Sequence, residues 1–112
     1  MISYEDFERV DIRVGKVIWV QDFPQAKKPA FKLTIDFGSE IGTKVSSVQA
    51  VGAHTREALF GMLVCCVINF PPKRIVDFIS EVLTLGFKNN NGNGWVLITP
   101  SKQSVNVGDK LQ

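Results

Sequence analysis

A chain of 112 residues, 45% hydrophobic and 21% charged, has the make-up of one ordinary globular domain, long enough to bury roughly two-thirds of its unfolded surface in a single core. No apolar run nears the roughly 18 residues that a membrane span needs, and the acidic opening MISYEDFE reverses the basic-then-apolar order of a secretory signal, so a cytoplasmic protein is expected. A net charge of +2 does not by itself announce a nucleic-acid partner, and the placement of the charges has to decide.

The first predicted element is a short helix capped by Ser3 and answered by Asp6 three residues on, with Tyr4, Phe7 and Val10 sharing a face. A helix this short is marginal alone, so Tyr4 and Phe7 must cover either the domain's own body or a partner subunit. Ile12 to Phe23 reads as a strand, with Gly15 marking a bulge or bend. Pro24 to Pro29, PQAKKP, is a loop that puts Lys27 and Lys28 at its tip. From Ala30 to Phe37 the pattern alternates: Phe31, Leu33, Ile35 and Phe37 form a core side, and Lys32, Thr34 and Asp36 a wet side. A turn at Gly38 to Gly42 leads into a third strand, Lys44 to Val51, and Thr55 then caps a helical turn through Leu59.

Met62 to Ile68 is an uninterrupted apolar run suited to a central strand. Its adjacent Cys65 and Cys66 point to opposite faces, cannot form an ordinary bridge, and read as small buried hydrophobes. NNNGNG, Asn89 to Gly94, is a tight polar turn between Val82 to Phe87 and Trp95 to Thr99, which predicts a hairpin. After it come a turn and a last short extended piece.

The sum is an all-β domain of five or six short strands, best fitted by a small five-stranded barrel of the OB type, although an SH3-like barrel or a sandwich shares the pattern. The single domain, 1–112, divides into an N-terminal helix (1–11), a barrel (12–99) with its helical turn between strands three and four, and a C-terminal extension (100–112). Paired carboxylates, a cysteine–histidine arrangement, a phosphate-cradling glycine loop and a metal-ligand cluster are all missing from the sequence. The one histidine, His54, reads as a loop or cap residue. No catalytic residue, metal or other cofactor is expected, and the protein reads as a binding module rather than an enzyme.

Charge is unevenly spread. Residues 1–22 hold five acids against three bases, whereas residues 23–80 hold seven bases against four acids. Within that basic middle, Asn69 to Gly86, NFPPKRIVDFISEVLTLG, is the most informative stretch. Pro71 and Pro72 end the preceding strand and stiffen the backbone, and Lys73 and Arg74 follow at once. Phe70, Ile75, Phe78 and Ile79 surround the two cations. Positive charge interleaved with flat apolar side chains suits backbone phosphate and unstacked bases, and it suits an extended, partly apolar peptide as well.

DIRVGKV at Asp11 to Val17, FPQAKKPAFKLTIDFG at Phe23 to Gly38, TKVSSVQ at Thr43 to Gln49 and the NFPPKRIVDFISEVLTLG stretch together resemble the CsaA family, within the wider family of tRNA-binding domains appended to some methionyl-tRNA synthetases. The resemblance implies an OB-fold homodimer, with the pieces flanking the barrel, Tyr4 and Phe7 among them, contributing to the subunit contact. It implies tRNA recognised by shape and backbone charge through basic loops, with export-related chaperoning of unfolded or pre-export polypeptides as the alternative, in the same groove. Carried onto this chain, it makes Lys73 and Arg74 the paired basic residues and Ser80 and Glu81 the family's Ser-Glu, with Lys44 and Lys32 as basic strand positions and Lys27 and Lys28 beside them. Phe70, Ile75 and Phe78 are the corresponding apolar grip for a peptide. The chain also departs from the family. Asp77 stands where relatives often have glycine, Val76 and Ile79 where a further base is common, and Gly52, Ala53 and His54 where a basic segment often ends in an aromatic residue. Each change lowers positive potential, so weaker tRNA binding than in the basic members is expected.

Overall fold

The structure, a computed structural model, describes residues 1–112. The N-terminal helix α1 spans Tyr4–Glu8, and its capping box is complete: the Asp6 N–H donates to Ser3 Oγ at 3.2 Å and the Ser3 N–H to Asp6 Oδ2 at 3.0 Å. The helix is fastened from far along the chain. Asn69 donates through Nδ2 to the Arg9 carbonyl (2.7 Å) and accepts at Oδ1 from the Asp11 N–H (3.0 Å).

Strand β1, Ile12–Asp22, is the spine of the domain. Its first half pairs with β4 (Leu63–Val67) and its second half with β2 (Phe31–Asp36), and β2 pairs in turn with β3 (Thr43–Val48), all antiparallel. The short β7 (Leu83–Thr84) completes a five-stranded sheet in the order β3-β2-β1-β4-β7. The register slips between Val17 and Trp19, where β1 bends and changes partners. Gly15, the expected bulge, sits instead in regular pairing with Val64. Its lack of a side chain is a packing requirement: a Cβ there would lie 2.5 Å from Ile35 Cγ2 and 2.8 Å from the Phe37 ring.

The sheet closes into a barrel through a segment that is barely strand. The Glu81 N–H donates to the Val45 carbonyl (2.8 Å), the Val45 N–H donates to Glu81 Oε1 (3.0 Å), and the Ser47 N–H donates to Ser80 Oγ (3.0 Å). The free edge of β3 is thus satisfied partly by side chains, and β7, which follows directly, lies against β4. Inside are Val17, Phe31, Leu33, Ile35, Phe37 and Val64, each 7% exposed or less. A Leu, Ile or Phe buried this fully stabilises the fold by about 1.5–3 kcal/mol. The predicted alternation of β2 is realised residue for residue. One polar chain enters the core: Thr84 Oγ1 donates to Ser46 Oγ (2.9 Å), which donates to the Val82 carbonyl (3.1 Å), and the Cys66 thiol meets Thr84 Oγ1 at 3.4 Å. No buried side-chain N or O is left unpaired. Both cysteines are free; burial raises each thiol pKa, that of Cys66 to about 12.

The helical turn α2, Arg56–Leu59, is capped by Thr55 as predicted. The barrel has the five strands predicted for it, but the strand count of the whole chain is higher than expected. There are nine strands rather than five or six, because Asn69 to Gly86 contains a hairpin of its own, β5 (Lys73–Ile75) with β6 (Phe78–Ser80). The predicted strand from Val82 to Phe87 also divides, into β7 and then β8 (Gly86–Lys88), which pairs with β9 (Trp95–Leu97) across the NNNGNG turn. The C-terminal piece runs back along β1, with the Val14 N–H donating to the Asp109 carbonyl and the Leu111 N–H to the Ile12 carbonyl. No helix is long and apolar enough to cross a membrane.

Candidate nucleic-acid interface

The double proline does not lead into a loop but into the β5–β6 hairpin, and this changes what Lys73 and Arg74 can do. Lys73 pairs with Ser80, Arg74 with Ile79 and Ile75 with Phe78. Residues directly opposite each other share a face and neighbours alternate. Lys73, Ile75, Phe78 and Ser80 therefore lie on one face, and Arg74 and Ile79 on the other. The two cations diverge, and Arg74 Nε is occupied by the Val76 carbonyl at 3.0 Å. Val76 has φ 59°, a left-handed conformation unusual for a β-branched residue, at the tip of the hairpin.

Phe78 is half-buried rather than offered to solvent. Its ring meets the buried Phe23 ring edge-on at 5.6 Å, and Lys32 Nζ stands 4.6 Å from the Phe23 centroid and 5.0 Å from that of Phe78. This cation–π cradle fixes the hairpin to the outer face of β2 and gives Lys32 a partner inside the chain. Lys44 lies opposite Ile35, so it shares the inward face of β3 with Ser46 and Val48 and is half-buried at the strand's start.

What the fold does bring together is a groove in two sections. The larger, about 600 Å³, is lined by Phe70, Lys73, Ile75 and Leu83, with Ser80 and Glu81 at its wall. The smaller, about 420 Å³, is lined by Lys28, Lys88 and Asn93. Gln49 and Trp95 belong to both, and the Trp95 N–H donates to the Gln49 carbonyl at 2.8 Å. Phe78, Arg74, Lys32 and Lys44 are not among the lining residues, and Lys27 stands exposed beside Lys28. Ser80 and Glu81 border the groove while holding the barrel shut.

The electrostatics favour an anion. The ion pairs are Arg9–Asp6, Arg13–Asp11 and Arg56–Asp22, so Lys28, Lys73 and Lys88 have no carboxylate partner. The one acid in the groove, Glu81, already accepts the Val45 N–H. Among the groove residues, Lys88 is not singled out by reading the sequence, and Trp95 reads there as barrel packing rather than as a base-stacking platform. Lys88 lies outside the basic middle, and a tryptophan in a strand ordinarily reads as packing. Their signal is the NNNGNG turn, which sets the residues flanking it opposite each other across a hairpin. His54 is structural: its Nε2 accepts from the Leu97 N–H at 3.1 Å, and partial burial lowers its pKa.

A small, nearly closed antiparallel barrel whose loops and hairpins frame a basic groove defines an OB-type binding domain. Comparison with known proteins agrees. The family model described as "Putative tRNA binding domain" matches residues 12–110, and the chain belongs to this family. It is 46% identical to the CsaA chaperone of Picrophilus torridus over the full length of both chains, with a TM-score of 0.91. The CsaA of Bacillus anthracis is 41% identical, again with a TM-score of 0.91, over 100% of this chain and 99% of that one. The methionine–tRNA ligase of Bacteroides fragilis is 36% identical over 111 residues, 99% of this chain. The chain spans 14–16% of the length of the ligases it matches.

Proposed function

We propose that this chain is a non-enzymatic module that binds tRNA by shape and backbone charge, working as a homodimer. The observation that supports it most is the set of unpaired lysines lining the two adjoining sections of the groove, Lys73 in the larger and Lys28 and Lys88 in the smaller. Phosphate contacts from such side chains release counterions, so binding must weaken as salt rises. The test is a titration of the purified protein with bulk tRNA across salt. Binding whose logarithm falls linearly with that of the salt supports the reading, and a flat profile or no binding removes it.

A second reading has its own support. Phe70, Ile75 and Leu83 make the larger section of the groove apolar, and the chain resembles CsaA chaperones over its whole length. An extended, unfolded polypeptide fits that section while its acidic side chains meet Lys73. For the dimer, Tyr4 is 65% exposed on α1, Ile2 precedes it at 79%, and Leu111 at the other end of the chain is 48% exposed. Apolar side chains left uncovered on both flanking pieces suit a subunit contact, with Tyr4 at its centre and the half-buried Phe7, 6.2 Å from it, behind. Light scattering that gives twice the chain mass, reduced to one by Tyr4→Arg, is the expected result.

A further inference from the structure

Trp95 is out of place for a packing residue. It is 41% exposed although Leu97, on the same face of β9, is 5% exposed. No ring of this chain stacks on it; the aromatic pairs are Tyr4–Phe7 and Phe23–Phe78. Trp95 is a lining residue of both sections of the groove. Lys88 is its direct cross-strand partner, so the two side chains rise from the same face of the β8–β9 hairpin, and Phe87 and Val96 take the other. Lys28 reaches the same section from the PQAKKP loop, and no acidic residue lines it. The backbone bond from Trp95 to Gln49 ties this platform to the end of β3, so the indole is presented on a fixed element.

An exposed tryptophan that lines one cavity with two unpaired lysines meets the two parts of a single-stranded nucleotide: a π-face for the base and positive charge for the adjoining phosphates. Along a base-paired helix the base faces are buried in the stack, and only its two ends could offer one to Trp95. Resting on the RNA reading above, we infer that Trp95 is the stacking platform for one unpaired base of an RNA segment, with the adjoining phosphates held between Lys28 and Lys88. The domain then reads an unpaired stretch of its RNA in addition to overall shape.

The experiment uses the full chain with Trp19→Phe, so that Trp95 is the only indole reporter, and five probes: a tetranucleotide of adenylates, a long RNA duplex whose ends are few beside its phosphates, a tetraglutamate peptide, bulk tRNA and an unfolded polypeptide. The tetranucleotide is expected to quench Trp95 emission saturably, and the duplex and the peptide to leave it nearly unchanged at equal charge. With binding read by calorimetry, since these variants lose the reporter, Trp95→Leu is expected to weaken tetranucleotide binding about tenfold and Trp95→Phe much less, a difference that follows from stacking and not from packing volume. Lys28→Ala with Lys88→Ala is expected to lower the salt slope by about 1.4, for two phosphates on a single strand. Equal quenching by duplex or tetraglutamate, or equal loss in the Leu and Phe variants, overturns the inference. Bulk tRNA that binds with a normal salt slope while Trp95 emission stays constant overturns the stack alone and leaves the RNA reading standing. Failure of the tetranucleotide and of bulk tRNA to bind overturns both, and quenching by an unfolded polypeptide in their place assigns the groove to peptide.

Discussion

Lys73 and Arg74 are neighbours in sequence and opposites in space, and the hairpin register makes their substitutions separable. Lys73→Ala removes a groove cation with no internal partner, so tRNA affinity should fall and the salt slope should drop by about 0.7–0.9, the contribution of one phosphate contact. Arg74→Ala removes a side chain that faces away and bonds to the Val76 carbonyl, so the slope should stay as it was. Equal effects in a salt titration would mean that RNA wraps both faces of the hairpin. Lys32 gives the converse case. Its ammonium lies over two rings, so Lys32→Met should destabilise the fold by about 1 kcal/mol in urea unfolding and leave the salt slope unchanged. A reduced slope at full stability would return Lys32 to the RNA contacts.

At the scale of elements, the two hairpins that frame the groove are held by different means. The β5–β6 tip carries Val76 at positive φ, a conformation that costs a β-branched residue about 1–3 kcal/mol and glycine almost nothing. Val76→Gly should therefore raise the unfolding midpoint despite the added freedom of glycine in the unfolded chain, and an unchanged or lower midpoint would show that the tip is not strained. The β8–β9 hairpin is held by His54, whose neutral Nε2 accepts the Leu97 N–H. Burial sets the folded pKa of His54 below its ordinary 6.5. The unfolded chain takes up the proton first, so this contribution is complete above about pH 6.5 and is lost as pH falls through the folded value. His54→Gln keeps an acceptor that does not titrate, so it should flatten the fall of the unfolding midpoint between pH 7 and 5; the same fall in both proteins would locate the titration elsewhere.

These same elements mark how far the sequence could be read. The β2 alternation, the Ser3 and Thr55 caps and the NNNGNG hairpin were legible because each follows from local periodicity or turn chemistry. The β5–β6 hairpin was not: its turn is Val-Asp, without the glycine or asparagine that announces a positive φ. The true position of the bulge was hidden too, because Gly15 answers a steric demand from Ile35 and Phe37, which are remote in sequence. At the candidate site, Lys28, Lys73, Phe70 and Ile75, picked out from the sequence as cations and apolar side chains, do line the groove. That Phe78 faces Phe23 and that Ser80 and Glu81 close the barrel are tertiary facts with no local signature.

For the whole molecule, the question is whether one groove serves two polymers. Its larger section is apolar around Phe70, Ile75 and Leu83, and its smaller section is polar and cationic around Lys28 and Lys88, with Trp95 shared between them. An extended polypeptide and a single RNA strand would both have to pass Trp95, so they should compete although their main contacts differ. The expected outcome, with labelled tRNA and a reduced, unfolded client protein in one tube, is mutual displacement at low salt. As salt rises, tRNA loses its counterion-release contribution while burial of apolar side chains does not weaken, so the client should gain the advantage. Phe70→Ser should then weaken the client and leave tRNA nearly unaffected, and Lys28→Ala with Lys88→Ala should do the reverse. Simultaneous binding of both ligands, with neither displacing the other at any salt, would place them on separate faces and remove the shared groove.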